Sequence, residues 1–176
     1  MKMSSETKPD VKVPLATFNE RLMAGLIDYL IFYGLIIGGI ILQIVVGFIP
    51  TVGGWLSWII GWLFYILGII AGIYIFFWMP YKKDGQSFGK KRQNIKIMMI
   101  DDPDKWSVRP VGDGDMVPML LRAIVGGFEV SVIPLVIAWY FITNDKNRQR
   151  LADQIAKTVV VQCEPGTSDV AKKPRE

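Results

Sequence analysis

The sequence predicts an all-α membrane fold: two transmembrane helices, a third apolar segment that is broken or re-entrant, and a small cytoplasmic β element. Three observations predict it. Apolar residues make up 51% of the chain of 176 residues, and mean hydropathy is +0.33. They are concentrated: Trp55 to Met79 holds no charged side chain, and Leu22 to Ile49 holds only Asp28. Each run outlasts the ~20 apolar residues needed to cross a bilayer core. The basic residues gather between and after the runs, as they do in cytoplasmic loops.

Composition also excludes several classes. A soluble globular or disordered chain does not concentrate apolar residues this way. Cys163 is alone, so no disulfide framework exists within the chain. There is no histidine, which removes His-based metal sites, triads and proton relays. Net charge is +4 and the isoelectric point about 9.2, but no nucleic-acid motif accompanies the charge. No nucleic acid, metal or cofactor is expected.

Residues 1–17 are polar and mixed in charge, and read as a disordered lead. The first apolar run is too long for a signal-peptide core, so it reads as an uncleaved anchor. The link Pro50-Thr51-Val52-Gly53-Gly54 suits a tight turn between antiparallel helices. The next polar segment carries Lys82, Lys83, Lys90, Lys91, Arg92, Lys96, Lys105 and Arg109. The positive-inside rule puts that loop and the N-terminus in the cytoplasm. Within it, Ile95 to Ile100 alternates, Asp101-Asp102-Pro103-Asp104 is a turn cluster, and Trp106-Ser107-Val108-Arg109 is a returning strand. Thr158-Val159-Val160-Val161 is a third β-branched run.

The third apolar segment, residues 117–142, contains Arg122, Gly126, Gly127, Glu129 and Pro134. One crossing would put the basic C-terminal part outside, against the charge rule. A broken hairpin returning to the cytoplasm removes that conflict, provided that protein or water covers the break. The membrane domain then covers 18–161, and 162–176 reads as a disordered tail rich in charge, Pro and Gly.

Asp28 is the most informative residue. It lies two turns after Arg21, about 10 Å further along the helix. A lone carboxylate at such depth costs at least ~2.5 kcal/mol. Arg21, Ala24, Gly25 and Asp28 share one face, and its small residues suit packing on protein. Helical side chains lean toward the N-terminus, so Arg21 points away from Asp28. Each charge needs another partner: Arg122 for Asp28, and Asp153 for Arg21. Asp28 reads either as an ion or proton site or as a structural ion pair. Glu129 reads either as a second carboxylate near unwound backbone or as the polar tip of an interfacial helix.

Gly34 and Gly38 make one GxxxG spacing, Gly68 and Gly72 another, and Gly61 shares a face with Gly68. Such faces favour close helix crossing, within one chain or between chains. Gln43 reads as a helix–helix contact. Trp55, Trp58, Phe77, Trp78 and Tyr81 mark the two ends of the second span as aromatic belts. Gly85 to Lys90 looks like a phosphate loop but lacks the spacing and the following Ser or Thr. No nucleophile–base pair is present, so no enzyme is expected.

Three segments carry a family resemblance. They are Arg21-Leu22-Met23-Ala24-Gly25-Leu26-Ile27-Asp28, Gly85-Gln86-Ser87-Phe88-Gly89-Lys90, and Gln149-Arg150-Leu151-Ala152-Asp153 running on to Thr158-Val159-Val160-Val161. In this order they resemble the RDD family of small prokaryotic membrane proteins, named for one Arg and two Asp. Many relatives have Gly where this chain has Lys157. The resemblance implies a multi-pass protein of the prokaryotic inner membrane. It also implies monovalent cation/proton antiport, because some relatives are so described, and it carries onto Arg21, Asp28 and Asp153. Three short apolar segments enclose a pathway poorly, so a transporter of this size is expected to be a homo-oligomer. The alternative is a scaffold or accessory subunit with a membrane partner protein, in which the charges are structural.

Overall fold

The computed structural model describes residues 13–50, 53–102, 107–132, 135–145, 148–167 and 169–171, without the side chains of 128–138 and 141. It is mostly helical, with two long apolar helices that could span a membrane and a three-stranded sheet.

Helix α1 runs Phe18–Gly47. Thr17 caps it, accepting from the Glu20 amide while Glu20 answers to the Thr17 amide at 2.9 Å. This satisfies donors that have no partner in a first turn. Helix α2, Gly53–Ile73, leads into a π turn at Tyr74–Trp78 and a short α3 at Met79–Lys82. Pro80 supplies no amide there, and the Met79 amide reaches back to Tyr74 O.

The two long helices pack antiparallel through glycines. Gly72 receives Phe32, Gly68 receives Ile36, Gly39 receives Phe64, and Gly61 receives Gln43. A Cβ at Gly61 would stand 2.7 Å from Gln43 Nε2. Gly61, Gly68, Gly72 and Gln43 thus lie between the two long helices. At Gly34 and Gly38 an added Cβ meets nothing within 4 Å, so within this chain they face away from α2. The helical period turns Gly39, with Phe32, Ile36 and Gln43, toward α2, and leaves Gly34 and Gly38 on the outer face.

Beyond α4 (Phe88–Arg92), strands β1 (Ile95–Asp102), β2 (Ser107–Pro110) and β3 (Thr158–Gln162) form one antiparallel sheet in the order β2-β1-β3. These are the three runs expected from the alternation. Ile95, Ile97, Met99 and Val160 form a core with Ala16, Ala24, Phe77, Tyr81 and Met119. Met98, Ile100, Val159 and Val161 form a second core on the opposite face with Val13, Leu15, Val108 and Val170. Two-sided burial explains why β1 is apolar on consecutive residues.

The sheet moves both expected domain edges. The Ala16 amide donates to Val160 O and the Gln162 amide to Pro14 O, so residues before 18 belong to the fold. At the other end Gln162 and Cys163 are buried, and Cys163 pairs with Val170. The rest of the expected lead, 1–12, and of the tail, 168 and 172–176, lies outside the described residues.

The third apolar segment is two helices, α5 (Met116–Val132) and α6 (Leu135–Asn144). A short α7 (Leu151–Ile155) follows. Its expected break at Pro134 lies outside the described residues.

Candidate functional site

Two carboxylates from distant parts of the chain are buried where the sheet meets α1. Asp28 is 1% exposed and Asp153 is 0% exposed.

Asp28 is held by the segment 85–90. Gly85 has φ +77°, and an added Cβ would run into Ile97 O, so only glycine turns the chain there against β1. Gln86 donates to Ile95 O at 3.3 Å. Ser87 caps α4. Its hydroxyl donates to Asp28 Oδ2 at 2.5 Å and accepts from Lys90 Nζ at 3.1 Å. Gly89 lies directly on the Ala24 backbone, where no side chain fits. Its amide, brought close by that contact, donates to Asp28 Oδ1 at 2.7 Å. Lys90 Nζ stands 3.9 Å from Asp28 Oδ2. The expected pairing of Asp28 with Arg122 is therefore corrected. A backbone amide, a hydroxyl and a lysine occupy its oxygens instead.

Arg122 goes to Asp153. Its Nε and Nη2 donate to Asp153 Oδ1 at 2.9 and 2.8 Å. Arg21 Nη1 donates to Oδ2 at 3.0 Å, the pairing expected from the sequence. The Arg150 amide, at the start of α7, donates to Oδ2 at 3.4 Å. Arg21 also reaches Val160 O at 3.4 Å, which ties α1 to β3. The Arg21 Nε is buried without an acceptor. Glu129 lies in α5, but its side chain is outside the described residues.

The electrostatics differ between the centres. Burial pushes the Asp153 carboxyl up, but Arg122, Arg150 and Arg21 together pull harder and hold it at about 2. Burial pushes the Lys90 amine down to about 8, with Arg122 adding to the effect and Asp28 opposing it. Asp153 is a fixed anion. Lys90 can exchange a proton near neutral pH, one hydroxyl away from Asp28.

Sequence reasoning missed Ser87, Gly89 and Lys90 as the Asp28 partners. A signal existed: a Ser that can cap a helix, followed by Gly, presents free amides to a carboxylate. Among the described residues, no group of three His, Cys, Asp or Glu is placed to hold a metal.

Helical rise adds a scale. Asp28 is ten residues into α1, roughly 15 Å from its start. Tyr29–Gly47 then measures roughly 28 Å, close to the thickness of a hydrocarbon core. Both carboxylates thus stand at the polar end of α1.

No curated protein and no solved structure matches the chain. A family model described as RDD family matches residues 15–157. The match spans all three motifs and both long apolar helices; this is a membrane protein, and the chain belongs to the RDD family.

Proposed function

We propose that the protein is a non-catalytic membrane module, a scaffold or accessory subunit whose buried charges lock a polar cap onto its first span. One observation carries this reading. Both Asp28 oxygens receive donors from residues 87–90. A carboxylate surrounded by donors repels a cation, which needs oxygen ligands. Asp153 is likewise filled by Arg21 and Arg122.

A second reading is monovalent cation/proton antiport, in a homo-oligomer. It is supported by the chain Asp28–Ser87–Lys90, in which a buried carboxylate connects through one hydroxyl to an amine that titrates at about 8. In that reading Lys90 is a proton acceptor and Asp28 is freed when Ser87 turns away.

In both readings the sheet faces the cytoplasm. The exposed Lys82, Lys83, Lys91 and Arg92 support that orientation. The third segment returns to the same side. In support, Met119 near the start of α5 joins the sheet core, while Arg150 after α6 reaches Asp153 beside Arg21.

The test is ion-driven proton flux in proteoliposomes, with sodium, lithium and potassium in turn, for folded wild type and Asp28→Asn. Absence of flux in the wild type, with a stoichiometric membrane protein recovered by pull-down, agrees with the scaffold reading. Wild-type flux that disappears in Asp28→Asn overturns it in favour of antiport.

A further inference from the structure

Among the described residues, one apolar face beside the sheet is left uncovered. From Met116 to Gly127, α5 carries a single charge, Arg122, and no other polar side chain. Met119, Arg122 and Gly126 are buried on one side of the helix. Met116, Val117, Leu120, Leu121 and Ile124 are exposed on the other. At 3.6 residues per turn these five fall within roughly 140° of arc, and Arg122 projects about opposite its centre. A helix on a water-facing surface turns charged and polar residues outward. This one turns its charge inward, to Asp153.

We propose that α5, over Met116 to Gly126, lies flat in the membrane interface, with these five side chains among the lipid acyl chains and its opposite side against the sheet and α7. The height of α5 carries the inference. Just before its start, Tyr81 OH donates to Asp113 O at 2.8 Å and Lys82 Nζ to Asp113 Oδ1 at 2.9 Å. Met119 lies in the core that holds Ala24 and Tyr81. Arg122 shares the Asp153 carboxylate with Arg21. A Cβ at Gly126 would stand 3.9 Å from the Ala152 Cβ, next to Asp153. The α1 residues at this level, Arg21 and Ala24, both precede Tyr29, where the stretch that matches the hydrocarbon core begins. Met119 to Gly126 measures roughly 10 Å along a helix. Had α5 run along α1 into the bilayer, Gly126 would stand level with residues beyond Tyr29. It stays beside Ala152 instead, so this part of α5 runs across the end of α1.

That height names the occupant. On α1 the exposed apolar surface starts at the same level, with Met23 and Leu26. The matching end of the second span exposes Trp78 and Lys82, residue types that settle at headgroup level. Leu151 and Ile155 of α7, which meets α5 at Gly126, are exposed as well. Exposed apolar surface of this kind marks an interaction site, and at this level the partner is the bilayer. An interfacial helix sinks its apolar face ~5–10 Å into the boundary of headgroups and acyl chains. Lipid then holds one side of α5 while Asp153 holds the other through Arg122. This placement holds whether or not the protein moves ions.

The test is nitroxide labelling of the full chain in liposomes of phosphatidylcholine and phosphatidylglycerol. Labels enter one at a time through Val117→Cys, Leu121→Cys and Ile124→Cys. Ser107→Cys, on the exposed edge strand, and Ile37→Cys, midway along α1, are the references. All five positions are exposed, and circular dichroism checks that each variant keeps the wild-type fold. Cys163 is buried; should the wild type take up label, Cys163→Ala becomes the background. The expected result is that the three α5 labels meet oxygen more often than Ser107 does, and a water-soluble nickel chelate about fivefold less often. Their depths agree with one another at ~5–10 Å and are shallower than that of Ile37. Depths that increase by roughly 10 Å from 117 to 124 mean a helix that crosses the membrane, and overturn the proposal. Labels as open to the nickel chelate as Ser107 put the face in water, and overturn it too. Labels closed to both reagents put a second copy or another protein on the face, and overturn lipid as its occupant.

Discussion

Replacing Asp153 by Asn removes one charge and almost no volume. Asp153 is 0% exposed, so water cannot compensate. Its carboxyl sits at about 2 where 3.8 is ordinary. That difference corresponds to about 2 kcal/mol of net stabilisation by its surroundings. The larger effect falls on the partners. The Arg21 and Arg122 side chains are 9% and 6% exposed, and both lose their carboxylate. Breaking a buried pair from one side costs ~3–5 kcal/mol. We expect Asp153→Asn to lose stability in that range, measured by equilibrium unfolding in detergent. Asp113→Asn is the control. Asp113 pairs with Lys82 at 2.9 Å, but its side chain is 92% exposed. Such a surface pair contributes ~1 kcal/mol or less. The acid limb carries a second signature. A depressed carboxyl stabilises fully above its unfolded value of 3.8, and that contribution is lost as pH falls through about 2. Asp153→Asn lacks this acid-labile part. An Asp153→Asn protein as stable as Asp113→Asn would refute the argument that this network locks the cap to α1.

Four further outcomes follow from the same geometry. Gly89→Ala drives a Cβ into the Ala24 backbone and pushes the Gly89 amide off Asp28; we expect the yield of folded protein to collapse, while Ser87→Ala costs ~1–3 kcal/mol in unfolding assays. Gly39→Ala meets the Phe64 ring and is expected to cost ~1–3 kcal/mol, whereas Gly34→Ala is expected to leave Tm unchanged or raise it. Lys157 has φ +51°, a left-handed shape costing an ordinary residue ~1–2 kcal/mol, so Lys157→Gly is expected to gain below ~1 kcal/mol once glycine's own chain entropy is subtracted. Between about 8 and 10.5 the unfolded chain holds the Lys90 proton and the folded chain does not, so stability rises with pH across that window, and Lys90→Met removes the rise.

The two long apolar helices were legible because length and scarcity of charge mark them without any partner. The sheet was legible too, since alternation at Ile95 to Ile100 and the β-branched run at 158–161 are local signals. Arg21 with Asp153 was legible because a cation and an anion each required a partner. Asp28 was not, because one of its partners is the Gly89 amide, and every residue but proline has an amide. For the packing glycines, the face was legible but the partner was not. Spacing finds a small-residue face, but only the position of α2 decides that Gly39 turns inward and Gly34 outward. Lys157 kept the backbone shape that glycine favours, which no propensity rule predicts.

The contacts made by α1 also fix an order of events. Asp28 meets Ser87 across 59 positions, and Arg21 meets Asp153 across 132. A ribosome adding 5–20 residues per second leaves Arg21 without its carboxylate for on the order of ten seconds. In the proposed orientation, its unneutralised charge resists translocation with the following apolar run during that interval. Once Asp153 emerges, the same guanidinium closes the fold. In that orientation Arg21 acts first as an orientation signal and later as a clasp. A chain interrupted before residue 153 carries both long helices but retains the unmatched cation at the end of the first, a chemical mark by which incomplete copies differ from finished ones.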